Sequence, residues 1–230
     1  MGVSGGIEKA ATWLEKAQSQ NPPFDAIVTE NLEGEEEGVL KAELGFWKNS
    51  AFKQRRQCRI KRSADELVGA PERLLRKSRE IRLIDPYFNP RDNRPFVRMV
   101  DFLHEVRTPG EASIEIYTRP EIRRDGELIK PKKRLDEFSR NLDPELPSGW
   151  KVTVHLLETG SDEESENLHP RFLLTELGGV QYDYGLGEGK GTTVVTLLDE
   201  DFRKQLWEEY SPETTTFCHH PEFPSVVVGD

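Results

Sequence analysis

The spacing of hydrophobic and polar positions changes along the chain, and each change marks an element. Ile7, Ala10, Ala11, Leu14 and Ala17 fall on one helical face, and Asn21, Pro22 and Pro23 end the helix they predict. Residues 24–29 predict a strand, and 39–47 a second strand across an acidic, Gly-flanked turn. Arg55 to Arg62 predicts an exposed basic stretch, and Pro71 opens a short helix carrying Leu74 and Leu75. From Ile81 the alternation becomes regular. Residues 81–88 form a strand that ends at a Pro-containing turn, and Phe96, Met99, Val100, Leu103 and Val106 keep helical spacing until Pro109 and Gly110 stop them. A strand over 113–118, a helix over 132–141 and a strand over 151–158 follow, and then an acidic loop over 160–167. Two short strands, 171–176 and 179–184, turn at Gly178 and Gly179. A glycine-rich loop (185–191) leads to a strand over 192–198, and Asp199 caps a last helix carrying Phe202, Leu206, Trp207 and Tyr210.

Strands alternating with helices predict an α/β fold, a mixed sheet flanked by helices. The periodic part covers 71–212. Residues 1–70 are expected to form a small N-terminal α+β extension, a lid or interaction element. Residues 213–230 are expected to be an extended tail whose Val226, Val227 and Val228 dock on the body or on a partner.

Charge changes this picture. The net charge of −10 repels nucleic acid and anionic membranes on average, but the signs are segregated. Between Phe46 and Arg82 stand 12 Lys/Arg against 4 Asp/Glu, and between Thr118 and Leu135 stand 7 against 3. Acid gathers at Glu33 to Glu37 and at Asp162 to Glu166. No run of 18 apolar residues suggests a membrane span, and the first residues lack a signal-peptide core. Cys58 and Cys218 are expected as free thiols of a cytoplasmic protein. Adjacent His219 and His220 do not converge as metal ligands, so no metal or other cofactor is expected.

One constellation carries chemistry. His169 and Arg171, two apart on a strand, point to the same side, with Glu176 five residues on. An imidazole can attack phosphorus and leave again near neutral pH, and an arginine fork neutralises phosphate oxygens. Glu176 is the expected orienter of the imidazole. Gly185, Gly187, Gly189 and Lys190 are the expected phosphate-binding loop, and Arg55, Arg56, Arg59, Lys61 and Arg62 the expected nucleic-acid-binding stretch.

This order of elements, with H-x-R-x4-E followed by a Gly-rich loop, resembles one half of the phospholipase D superfamily, whose signature is H-x-K-x4-D. Arg171 replaces the family's Lys, Glu176 its Asp, and the loop has no Ser or Asn. The chain is more similar to the C-terminal phospholipase D-like domain of microtubule-interacting-and-transport proteins and its bacterial relatives. That similarity lies in LIDPYF (83–88), H-x-R (169–171) and GLxEG (185–189), and spans about 130 residues. Its tripeptide is His-Asp-Arg or His-Asn-Arg, where this chain has HisProArg, and Gly187 replaces an Asp of its loop. The resemblance implies a homodimer and phosphate recognition. In animal members it implies phospholipid binding without catalysis, and bacterial members are associated with phage-defence complexes. Three activities follow from these readings: recognition of phosphodiesters, nucleic acid first among them; metal-independent phosphodiesterase or nuclease activity by a homodimer; and docking on an anionic membrane.

Overall fold

The computed structural model describes residues 15, 17, 27–30, 39–43, 48, 56–159, 171–211 and 217–229. The chain divides into two compact units, Met1–Arg55 and Arg56–Asp230. The expected opening helix lies almost wholly outside the described residues, although Glu15 and Ala17 are helical. In the first unit β1 (Ile27–Thr29) and β2 (Val39–Lys41) pair in parallel, so the acidic turn between them does not close a hairpin.

The second unit is a mixed α/β layer structure. It comprises β3 (Gln57–Lys61), α1 (Ala64–Gly69), α2 (Glu72–Lys77), β4 (Glu80–Ile84), α3 (Arg94–Val106), β5 (Ser113–Thr118) and the hairpin β6 (Ile122–Arg124) and β7 (Glu127–Ile129). There follow α4 (Pro131–Leu142), a 3-10 turn, β8 (Val152–Thr159), β9 (Phe172–Thr175), β10 (Gly178–Tyr182), β11 (Thr192–Leu197), α5 (Glu200–Glu209), β12 (Phe217–His219) and β13 (Ser225–Val228). The nine-stranded sheet runs β12-β8-β5-β4-β9-β10-β11-β3, with β13 also on β8. The compact unit that holds this sheet begins at Arg56. The alternation of Cys58 and Ile60 against the core makes the basic stretch an edge strand, pairing with β11 from Thr192↔Lys61 to Thr196↔Gln57.

Period-two alternation along β4 sorts its side chains. Ile81 and Leu83 enter the larger core with Ile114, Ile116, Val152 and Val154, under α3 and α4. Ile84 faces the opposite, smaller core with Tyr117, Phe172, Leu174 and Leu206. Among the described residues, α5 and β12 supply that second layer, and a polar cluster tethers them. Arg82 stacks on Trp207 at 3.8 Å and donates to the carbonyls of Trp207 and Tyr210. Glu115 accepts from the Tyr117 hydroxyl at 2.6 Å and lies 3.4 Å from Arg82 Nε. His155 Nδ1 meets His219 Nε2 at 3.1 Å, fastening β12 to β8. His220 turns instead to Glu158, so the adjacent imidazoles diverge. The tail thus docks on the body. Gly229, at φ +99, comes so close to the Trp150 carbonyl that no Cβ fits between them. Cys58 and Cys218 lie at opposite edges of the sheet and form no disulfide.

Strands β4, β5 and β8 are mutually parallel, while β9 runs antiparallel on the other side of β4. The ends of β4 and β5 and the start of β9 consequently share one edge of the sheet. There the order of strands reverses. No helix among the described residues is long and apolar enough to cross a membrane.

Phe138 stacks on Phe88 at 5.7 Å and seats α4 beside this edge. Phe138→Ala is expected to lower unfolding free energy by roughly 3–5 kcal/mol, measured by urea denaturation.

Candidate functional site

The loop after β4 is built around one carboxylate. Asp85 donates its backbone N–H to the Tyr117 carbonyl (3.0 Å), and Pro86 then ends the ladder because it has no N–H. The Asp85 side chain folds back to accept from Tyr87 N–H at 2.9 Å, and Phe88 packs between Phe96 and Phe138. Asp85 is thereby held inward at 6% exposure, while Tyr87 stands 44% exposed at the rim.

Arg171 arrives at this carboxylate from the start of β9. Its Nε lies 3.7 Å from Asp85 Oδ1, and its Nη1 donates to the Asp183 carbonyl at 3.0 Å. Gly185 (φ +68) lets the two meet, since a Cβ there collides with Asp85 Oδ2 and lies 2.7 Å from Arg171 Cδ. Arg119, following β5, completes the rim: Arg119 and Arg171 each place Cζ 5.1 Å from the Tyr87 ring centroid. Behind them Arg134, fully buried on α4, donates to the carbonyls of Arg119 (2.8 Å) and Phe88 (3.1 Å) and to Thr118 Oγ1 (2.7 Å). The Thr118 hydroxyl in turn donates to the Pro86 carbonyl at 3.2 Å.

Among the described residues, five guanidinium groups, on Arg91, Arg119, Arg124, Arg134 and Arg171, surround the two carboxylates of Asp85 and Glu137. Buried Glu137 is committed to Arg91 (2.7 Å) and Arg124 (2.9 Å). Arg134 Nη1 and Arg124 Nη2 are buried donors that meet no acceptor among the described residues. Burial raises the Asp85 pKa above its ordinary value, against the lowering effects of the Tyr87 N–H, Arg171 and Arg134. Burial, with the nearby Arg124, pulls the Arg134 pKa down to about 10. An edge so rich in guanidinium, with its carboxylates enclosed, suits an anion.

The expected site residues divide. Arg171 and Gly185 are at this centre, whereas His169 and Arg55 lie outside the described residues. Glu176 is a correction. It follows β9 while Arg171 precedes it, roughly 16 Å away at strand rise. Its Oε1 accepts from Arg79 N–H at 2.6 Å and its Oε2 from Glu80 N–H at 3.0 Å, so it secures the start of β4. The carboxylate beside Arg171 is Asp85.

The glycine loop is a second correction. Arg62 Nε and Nη2 donate to the carbonyls of Gly187 (3.1 Å) and Glu188 (3.4 Å), and Gly189 N–H donates to the Arg62 carbonyl at 3.1 Å. The Glu188 carboxylate accepts from Ala64 N–H at the start of α1. Gly187 and Gly189 therefore clasp the end of β3, with Lys190 exposed beside them, and do not cradle a ligand at Asp85. Arg62 belongs to the clasp and also covers the Tyr184 ring at 4.8 Å. Arg56 is exposed just before β3, and Arg59 and Lys61 project from the exposed face of β3. Three strands separate β3 from β4, a span of roughly 19 Å.

Asp85 and Tyr87 stand in the LIDPYF stretch but were not expected as site residues, and Arg119, Arg134 and Glu137 escape a reading by motif. A signal for the last two exists in the sequence: Arg134, Glu137, Phe138 and Leu142 share one face of α4, so charge lies in an otherwise apolar stripe.

Two outcomes test this geometry. Glu176→Ala is expected to cost about 1–3 kcal/mol in denaturant unfolding and to leave anion binding unchanged. Because folded Asp85 holds its proton to higher pH than the unfolded chain does, the native state binds more protons between the ordinary value of 3.8 and the raised one. Stability contributed by Asp85 is thus complete below that interval and falls as pH rises through it. Asp85→Asn is expected to be the more stable protein at pH 7, with the difference closing on acidification; unfolding curves across pH check both signs.

No protein-family model and no curated protein matches this chain, so the chemistry of the site is argued from its residues and geometry.

Proposed function

We propose that this is a phospholipase D-like protein that recognises phosphodiester groups, nucleic acid foremost, through the edge formed by Arg171, Arg119, Tyr87 and Asp85. The observation that carries the reading is the convergence of Arg171, the arginine of the H-x-R motif, with Arg119 on one exposed tyrosine at the sheet's reversal point. Phosphate oxygens are the natural ligands of paired guanidiniums. The exposed Arg59 and Lys61 on β3 supply a separate basic strip for further phosphates of a polyanion.

Recognition is favoured over turnover by two commitments. Glu176 is engaged with backbone N–H groups, and the glycine loop is engaged with Arg62. Those are the groups that were to orient an imidazole and to cradle the phosphate. A homodimer bringing two copies of His169 together as a catalytic pair is the arrangement the nuclease alternative requires.

Fluorescence anisotropy with a labelled single-stranded oligonucleotide tests the proposal. Arg171→Ala is expected to weaken binding about tenfold or more, Arg171→Lys to restore part of the loss, and rising salt to weaken the wild type steeply. His169→Ala is expected to bind normally, beside a wild type that shows no cleavage in EDTA. Unchanged affinity in Arg171→Ala would sink the recognition reading, and EDTA-resistant cleavage abolished by His169→Ala would replace it with the nuclease. Vesicles containing anionic lipid, added as competitor, are expected to leave oligonucleotide binding intact.

A further inference from the structure

We propose that anion binding at Arg171 is coupled to proton uptake by Asp85, which competes with the ligand for the same guanidinium. The inference rests on the phosphate-recognition reading and names how that site is regulated.

Asp85 Oδ1 is the carboxylate oxygen at Arg171 Nε, 3.7 Å away, and Arg171 Nη1 is held by the Asp183 carbonyl. One donor of the fork, Nη1, is therefore taken from within the protein, and Asp85 faces Nε as an ion pair beyond hydrogen-bond length. The charged groups facing Asp85 are Arg171, from the start of β9, and Arg134, from α4. On its own loop it has the Tyr87 N–H, and the loop at Gly185 passes near enough to Oδ2 that a Cβ there would collide with it. Glu137, one turn from Arg134 on α4, is committed to Arg91 and Arg124 and does not share Arg171. His169 stands two positions before Arg171 in the sequence and lies outside the described residues, so the test must separate its titration from that of Asp85.

At 6% exposure Asp85 has little water to screen it. Ionised, it cancels much of the field of Arg171 at the rim and repels an arriving phosphate. Protonated, it leaves the Arg171 charge to the ligand. A bound phosphodiester must in return make ionisation of Asp85 harder, since the two effects are one linkage. Burial already moves Asp85 in the direction that lets this exchange occur above the ordinary carboxylate range. Affinity is expected to fall as pH rises through the titration of Asp85, because the complex holds more protons than the free protein there.

Hexathymidylate without terminal phosphate is a suitable probe, because its phosphodiester charge is constant from about pH 4 to 8, a window that starts at the ordinary Asp85 value and runs upward in the direction of its shift. Titration calorimetry in two buffers of different ionisation enthalpy counts the protons taken up on binding. The expected result is net uptake by the wild type and affinity that declines with pH. Asp85→Asn should abolish the slope and bind about tenfold more tightly than wild type at the alkaline end. Asp85→Ala, which also removes the charge, should flatten the slope too, and unfolding curves verify that both variants fold.

Two results would overturn the coupling while leaving phosphate recognition standing: Arg171-dependent binding with no pH slope in the wild type, or a slope that survives Asp85→Asn and disappears in His169→Ala. Loss of the recognition reading has a different signature, binding that Arg171→Ala does not weaken, and it removes the coupling as well.

Discussion

The enclosure of a carboxylate where the order of strands reverses organises this structure more than any other feature. Asp85 follows the central strand β4 and is closed in by Arg171 from one side of the sheet and Arg134 from beneath α4. An unpaired buried carboxylate is costly, so the surrounding elements must bring donors and positive charge to it. Gly185 lacks a side chain where one would force Asp85 and Arg171 apart. Thr118 and the carbonyls of Phe88 and Arg119 satisfy Arg134, whose own burial would otherwise be as unfavourable. The loops after β4 and β5 and the approach to β9 are positioned together by these contacts.

The same enclosure explains why the edge presents a positive rim on an acidic protein. Asp85 and Glu137 face inward and are committed, while Arg119 and Arg171 reach the surface over Tyr87. Net charge describes the field far from the molecule. Recognition at a few ångströms is decided by the nearest groups, which salt and distance separate from the rest. The second polar cluster, on the opposite face, serves packing instead: Arg82, Glu115, His155 and His219 hold α5 and β12 on the sheet.

Much of the layer structure was legible along the chain. Alternation at 113–118 and helical spacing from Phe96 to Val106 correspond to β5 and α3 within a residue or two, because each buries one continuous apolar face. Where local pattern is weak, the reading was incomplete. The basic segment at 57–61 is a strand because Cys58 and Ile60 meet the core, and two apolar residues among cations are a faint signal. The hairpin β6–β7 and the short α1 are likewise stabilised by partners remote in sequence. Arg171 was identifiable by its motif, whereas the place of Glu176 was not, because five residues along a strand put it on the opposite face from Arg171 and roughly 16 Å away.

The sequence by itself determined an α/β chain with apolar strands, amphipathic helices and segregated charge, since these follow from side-chain chemistry at local periods. It also marked Arg171 as a cation at the mouth of a strand. Tertiary structure alone decided which carboxylate meets that cation, that Arg62 closes the glycine loop, and that Arg119 and Arg134 join the same edge. Those pairings depend on which strands become neighbours. Strand order is set by the packing of whole faces against one another, and a reversal between β4 and β9 brings together residues that the chain separates by 86 positions, from Asp85 to Arg171.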